Sequence, residues 1–190
     1  KQKTAYEITY GDWSSDVCSS DLGEKYTVGV IVQANYGVRE ELSIDGVPVG
    51  REIGVDVTPS GRRDAMGNAG SILIIVATDA PLLPHQCKRL AQRATVGLGR
   101  IGGYGRNGSG DLFLAFSTGN TIPHDPKDRT FDMAHLSDAH INPVFTATVE
   151  ATEEAILNAL TMATTTVGRD GHRVEALSLT TLRALMSGRP

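Results

Sequence analysis

The run SILIIVATDA at 71–80 constrains this chain more than any other feature in it. It is far short of the roughly 20 apolar residues that a membrane-spanning helix needs. Continuous apolar character without a polar face fits a strand buried in a sheet. Pro81 ends that strand, and Pro84 suits the first turn of a helix. In this helix Cys87, Leu90, Ala91 and Ala94 share one face, opposite Lys88, Arg89 and Arg93. Upstream, KYTVGVIVQA at 25–34 reads as a second buried strand, with Asn35-Tyr36-Gly37 as a turn. The charged run Arg39-Glu40-Glu41 leads into LSIDGVPVGREI, whose Asp45-Gly46 predicts a hairpin between short strands. Residues 58–70 show no periodicity and read as an exposed linker.

Downstream of the helix a glycine-rich loop runs from Gly99 to Gly110, and DLFLAFST at 111–118 predicts another buried strand. Residues 120–142 read as irregular. A helical period over 142–167 puts Val149, Thr152, Ala155, Ile156 and Ala159 on one face, with Gly168 as the stop. GRDGHRVEAL reads as a turn and short extended run, and LTTLRALMSG as a small helix ending at Gly188. With 190 residues and 40% apolar content, these elements make one α/β domain. A net charge of −4 and a pI near 5.7 give no electrostatic footprint for nucleic acid. Two cysteines, Cys18 and Cys87, make no disulfide framework, which points to a soluble protein of a reducing compartment. No membrane segment is expected, and the cytoplasm is the expected location.

Residues 1–22, KQKTAYEITYGDWSSDVCSSDL, stand apart. They resemble the translation of an indexed short-read sequencing adapter. The adapter codons AAG CAG AAG ACG GCA TAC GAG give KQKTAYE, and GAC TGG AGT TCA GAC GTG TGC TCT TCC GAT give DWSSDVCSSD, with ITY as the variable index. Such segments are set aside before reasoning about a fold, and this one is expected to pack loosely, with Trp13 in no enclosed pocket. Without it 16 basic and 18 acidic residues remain, a net charge near −2. The domain then starts near Gly23, as a reading frame cut short upstream.

Gly70-Ser71 sits between the linker and the apolar strand. A serine there is ordinarily just the first residue of a strand. A preceding glycine, however, permits strained backbone that other residues tolerate poorly, and in such a geometry the hydroxyl can attack the carbonyl before it. The freed serine would carry a nucleophile and an α-amine whose unperturbed pKa is about 7.7–8.0, able to act as general base. Asn35 could equally be a turn residue that tolerates left-handed backbone, and Ser109-Gly110 could be loop filler. The GGYGRNGSG segment lacks the Walker ending and the G-x-G-x-x-G spacing, which excludes a phosphate cradle. His124, His135, His140 and His172 never pair at i, i+4, so no metal site is expected. His85 reads as solvating the first turn of its helix, and Cys87 as an inert thiol.

Taken together, VGVIVQANYG (28–37), GNAGSILIIVATDAPLLPHQCKRLAQRATVGLGR (67–100), NGSGDLFLAFSTGN (107–120) and ATEEAILNAL (151–160) resemble the L-aminopeptidase/D-esterase family. These are self-cleaving serine aminopeptidases that include the β-peptidyl aminopeptidases. The resemblance runs from Gly23 to the C-terminus and implies an N-terminal-nucleophile-like αββα sandwich, incomplete at its N-terminal side. It implies cleavage between Gly70 and Ser71, with Ser71 as nucleophile and Asn35 as oxyanion donor. Ser109 matches a second serine that hydrogen-bonds the nucleophile or relays its proton. Asp111 stands where relatives often carry Glu to orient that serine. The implied reaction is release of N-terminal residues from small peptides, amides or esters, without cofactor. The implied assembly is a homo-oligomer of processed subunit pairs. The family's upstream residues for the substrate's amino end have no counterpart here, so the fragment itself is expected to be inactive. The rival readings are a non-catalytic truncated remnant and an acyltransferase of related architecture. Those acetyltransferases favour a Thr nucleophile, and Ser71 argues instead for hydrolysis.

Overall fold

A computed structural model describes residues 13–21, 25–54, 70–125, 127–171 and 173–188, and in it the apolar runs form one four-stranded sheet. Strands β1 (Trp13–Asp21), β2 (Lys25–Asn35), β3 (Ser71–Thr78) and β4 (Leu112–Ser117) lie side by side in chain order. The helices are α1 (Val49–Glu52), α2 (Pro84–Arg100), α3 (Asn142–Met162) and α4 (Leu179–Ser187). β2 pairs antiparallel with both β1 and β3, whereas β3 and β4 are parallel. A parallel pair needs a crossover, and α2 supplies it. α2 lies over β3 and β4, and α3 over β1 and β2.

Alternation along the strands decides which side chains meet these helices. Val28, Val30 and Val32 of β2 and Ile72, Ile74 and Val76 of β3 are buried. They pack with Leu90, Ala94 and Leu98 of α2 and with Val144, Ala151, Ala155 and Ile156 of α3. Two threonines are buried in α3 at little polar cost, because each hydroxyl bonds the carbonyl one turn back. Thr148 Oγ1 donates to Val144 O at 2.8 Å and Thr152 Oγ1 to Thr148 O at 2.7 Å. Gln86 is buried at the start of α2 and uses both ends of its amide. It accepts from Leu83 N–H at 3.0 Å and donates to Leu136 O and Asp138 Oδ1, each at 2.8 Å. The irregular segment before α3 is thereby tied to α2. A smaller cluster of Ile44, Val49, Ile53 and Leu182 joins α1 to α4.

Four expectations are corrected. Asp45 and Gly46 do form a tight turn with positive φ at both residues, but only one bridge, Ile44 to Val47, flanks it. Pro48 has no N–H for a ladder, and the chain turns into α1 instead. The helix beginning at Asn142 ends at Met162, short of Gly168. The β-branched run Thr164-Thr165-Thr166 favours extended chain there, and β5 (Thr166–Val167) pairs with β6 (Arg173–Val174). β4 is an edge strand rather than a buried one, with Leu112, Leu114 and Phe116 exposed at 65%, 56% and 45%. Its outward face, with Ile31 of β2, carries no layer among the described residues. Finally, the leader, expected to pack loosely and showing no strand period, holds β1, paired along its whole length with β2. Edge pairing satisfies backbone groups and needs no particular side chains. The linker over 58–69, the side chains of Trp13 and Cys18, and His172 lie outside the described residues.

The helix layer closes tightly at Gly97, where an added Cβ would stand 2.6 Å from the Val149 carbonyl oxygen and 2.9 Å from Thr152 Cβ. Gly97→Ala should therefore destabilise the domain by about 1–3 kcal/mol, the usual cost of overpacking a core. Urea unfolding of the two proteins measures this, and equal midpoints would show that α2 and α3 can move apart freely.

Candidate active site

The site grows from the way β3 begins. Gly70 enters the strand so closely that a Cβ on it would come 2.8 Å from both Asn35 O and Tyr36 Cα. Only glycine fits that approach. The next residue, Ser71, is exposed at the end of the sheet, while Ile72 behind it is buried. Antiparallel register places Asn35, the last residue of β2, directly opposite Ser71.

The third component comes from the chain entering β4. Parallel register starts at Leu73 opposite Leu112, so residues 109–111 run beside the start of β3. Gly110 N–H donates to Ser71 Oγ at 3.2 Å. Asp111 Oδ1 accepts from Ile72 N–H at 3.1 Å and also from the Ser109 hydroxyl. Ser109 N–H in turn closes a tight turn on Arg106 O at 2.8 Å. All four expected residues thus lie at one end of the sheet. Ser71, Ser109 and Asp111 are joined through hydrogen bonds that include two backbone amides, and Asn35 is joined by strand register.

The chemical capacity follows from these bonds. An N–H aimed at a serine oxygen orients that hydroxyl and favours its deprotonated form, the form that attacks a carbonyl. A carboxylate that accepts from a hydroxyl and from a strand amide holds both in place and keeps the hydroxyl oxygen rich in electron density. A cleft beside Ser71 is lined by Tyr36, Gly70, Tyr104, Arg106, Ser109 and Asp111. Burial, and next the nearby Asp111 carboxylate, push the Tyr36 phenol well above its ordinary range. It therefore remains a neutral group in the wall of the site.

Sequence reasoning missed the Gly110 amide, because a backbone donor has no residue signature. It also missed Tyr36, read only as a turn residue, and Glu41 with Arg106, an ion pair in the lining of the cleft. Cys87 lies on α2, and burial raises its thiol pKa. His85, His124, His135 and His140 are exposed. Among the described residues no three or more His, Cys, Asp or Glu gather as a metal site.

The Tyr36 shift has a definite sign. Below about pH 10 the phenol is neutral in folded and unfolded chains alike, so the fold keeps its full stability. Above that pH the unfolded chain ionises first, and stability falls as pH rises. Tyr36→Phe should flatten the part of the decline above about pH 10 that this group causes. Urea unfolding across that range tests it, and identical slopes would remove Tyr36 from the account.

Comparison with known proteins gives this geometry a family. The model of Peptidase family S58 matches residues 11–174. The β-peptidyl aminopeptidase BapA of Sphingosinicella microcystinivorans is 42% identical over 173 residues, 86% of this chain and 44% of its own length. A β-aminopeptidase structure from Burkholderia superposes with a TM-score of 0.79 at 42% identity, covering 95% of this chain and 50% of that one. The L-aminopeptidase D-Ala-esterase/amidase of Ochrobactrum anthropi superposes at 0.83 with 38% identity, covering 93% of this chain and 48% of that one. That protein is described as a prototype for the serine aminopeptidases and a variant among the Ntn hydrolase fold. The sheet and helix layer seen here share that fold. The chain spans about half the length of the curated relatives it matches.

Proposed function

The chain belongs to peptidase family S58, and on that basis we propose that it carries the nucleophile half of a self-processing serine aminopeptidase. The observation that carries the reading is the Ser71 hydroxyl. It stands directly after a glycine that nothing larger can replace, with the Gly110 amide on its oxygen. In processing, Ser71 Oγ attacks the Gly70 carbonyl carbon and the peptide nitrogen leaves as the α-amine of Ser71. The resulting ester is hydrolysed by water, ending the first segment at Gly70. In turnover the same oxygen attacks the carbonyl of a small peptide, amide or ester. Its proton passes to the new α-amine, whose unperturbed pKa of about 7.7–8.0 suits a base near neutral pH. Asn35 supplies an amide donor to the oxyanion, and Ser109, held by Asp111, relays the proton to the leaving group. Water then releases the acyl group from Ser71.

The exposed apolar face of β4, with Ile31 of β2, supports a second sheet packing there in the family-length protein. A strand face of Leu112, Leu114 and Phe116 left in water is the kind of patch that marks an interface. Catalysis on this reading belongs to the protein with both halves, assembled as a homo-oligomer of processed subunit pairs. No described helix is long and apolar enough to cross a membrane.

Two substitutions in a family-length protein carrying this chain test the proposal. Ser71→Ala should leave the polypeptide uncut before residue 71 by intact mass and abolish hydrolysis. An uncut protein that still hydrolyses peptide amides would refute the reading. Asn35→Ala, made where processing still occurs, should lower kcat by about 100- to 1,000-fold, the usual effect of losing one oxyanion donor. A change confined to KM would place Asn35 in substrate binding instead.

A further inference from the structure

We propose that the Glu41–Arg106 ion pair is a positioning clamp that holds the 101–110 loop, and with it Ser109 and the Gly110 amide, against Ser71. The inference rests on the assignment of Ser71 as nucleophile. The loop contains Gly102, Gly103, Gly105, Gly108 and Gly110 and has no helix or strand of its own. Glycine-rich chain has a large conformational entropy. A loop of this composition does not by itself keep one amide on one hydroxyl.

Besides the bonds of Ser109 and Gly110 themselves, contacts further up the loop restrain it. At its base, Gly102 has φ +96 and lies so near Glu41 that a Cβ would stand 1.9 Å from the Glu41 carbonyl oxygen. Gly103 packs on Leu98 and on the Tyr36 ring. Halfway along, the Arg106 guanidinium pairs with Glu41 Oε1. Arg106 is also the first residue of the turn whose last residue is Ser109, since its carbonyl accepts the Ser109 N–H. The clamp is therefore one hydrogen bond away from the functional turn. Removing it leaves Tyr104 and Gly105 as the unrestrained link between the base and that turn.

The other side of the clamp is equally anchored. Glu41 belongs to a short 3-10 turn, Arg39–Glu41. In the same turn Arg39 Nη1 donates to Ile53 O at 3.3 Å and to Gly54 O at 3.2 Å. Glu41 is the more enclosed partner, with its side chain 17% exposed against 43% for Arg106. Its Oε2 atom is buried without a hydrogen-bond partner. A carboxylate held in this way is costly unless paired, which makes Arg106 its compensating charge. The same pair in open water would be worth little; here its value lies in where it fixes the loop.

The test uses a family-length protein and reads processing, kinetics and loop motion together. Arg106→Ala and Glu41→Gln should each slow cleavage before Ser71 and lower kcat by about 10- to 100-fold, the scale of a small misplacement of reacting groups. KM should change less than kcat. The double variant should be no slower than the worse single one, and Arg106→Lys should recover part of the rate. Hydrogen exchange of amides 102–110 should rise in both single variants while the β2 and β3 amides keep their protection. Unchanged rates, additive effects, or losses that simply follow a lowered melting temperature would each overturn the clamp. Ser71→Ala measured alongside separates the two claims. If it stays active, the nucleophile assignment falls, while loop exchange still reports on the clamp.

Discussion

The antiparallel register between β2 and β3 underlies everything else at the site. It sets Asn35 opposite Ser71, and period-two alternation then follows along both strands. With Ser71 at the exposed end, Ile72, Ile74 and Val76 must point into the helix layer beside Val28, Val30 and Val32. A slip of one residue would turn those side chains outward and carry Ser71 off Asn35 in the same step. Burial of the core and alignment of the site are thus one constraint. The stability of the apolar face, at about 25 cal/mol per Å² of area removed from water, also holds the reacting groups in line.

Close backbone approach is the second theme. Gly70 against Asn35 and Tyr36 brings the start of β3 close to the end of β2, and Gly97 against α3 brings α2 close to α3. In each place a side chain would need space that backbone or core atoms already occupy. The two glycines act at different levels. Gly97 governs how near the helices stand, and Gly70 governs how sharply the chain enters β3. Only the second lies at the candidate site, directly before Ser71.

Asp111 joins the fold to the site. Its carboxylate bonds Ile72 N–H, a strand amide, and the Ser109 hydroxyl. It therefore spans the seam where β3 and β4 begin to run parallel. Asp111 reaches both partners because the 109–111 segment runs immediately beside β3. The burial of Tyr36 beside it keeps a neutral phenol in the cleft wall, and the carboxylate there meets the exposed end of the sheet.

The sequence by itself determined the elements whose signal is local and strong. Ile72–Ala77 could be little but a strand, the α2 face is written in Leu90 and Ala94, and Gly188 bounds the last helix. Ser71, Asn35, Ser109 and Asp111 were legible as candidates because their segments resemble a known family, not because spacing dictates chemistry. Only the tertiary structure decided that β4 lies at an edge with Leu112, Leu114 and Phe116 facing outward, since a run of apolar residues does not say which layers will cover it. It also decided that residues 13–21 pair with β2, because an open edge offers N–H and C=O groups to any extended chain that folds back. The Gly110 amide and the Glu41–Arg106 pair were invisible for the same physical reason. A backbone donor has no side chain to read, and an ion pair between residues 65 apart in sequence exists only once the loop and the 3-10 turn have been folded against each other.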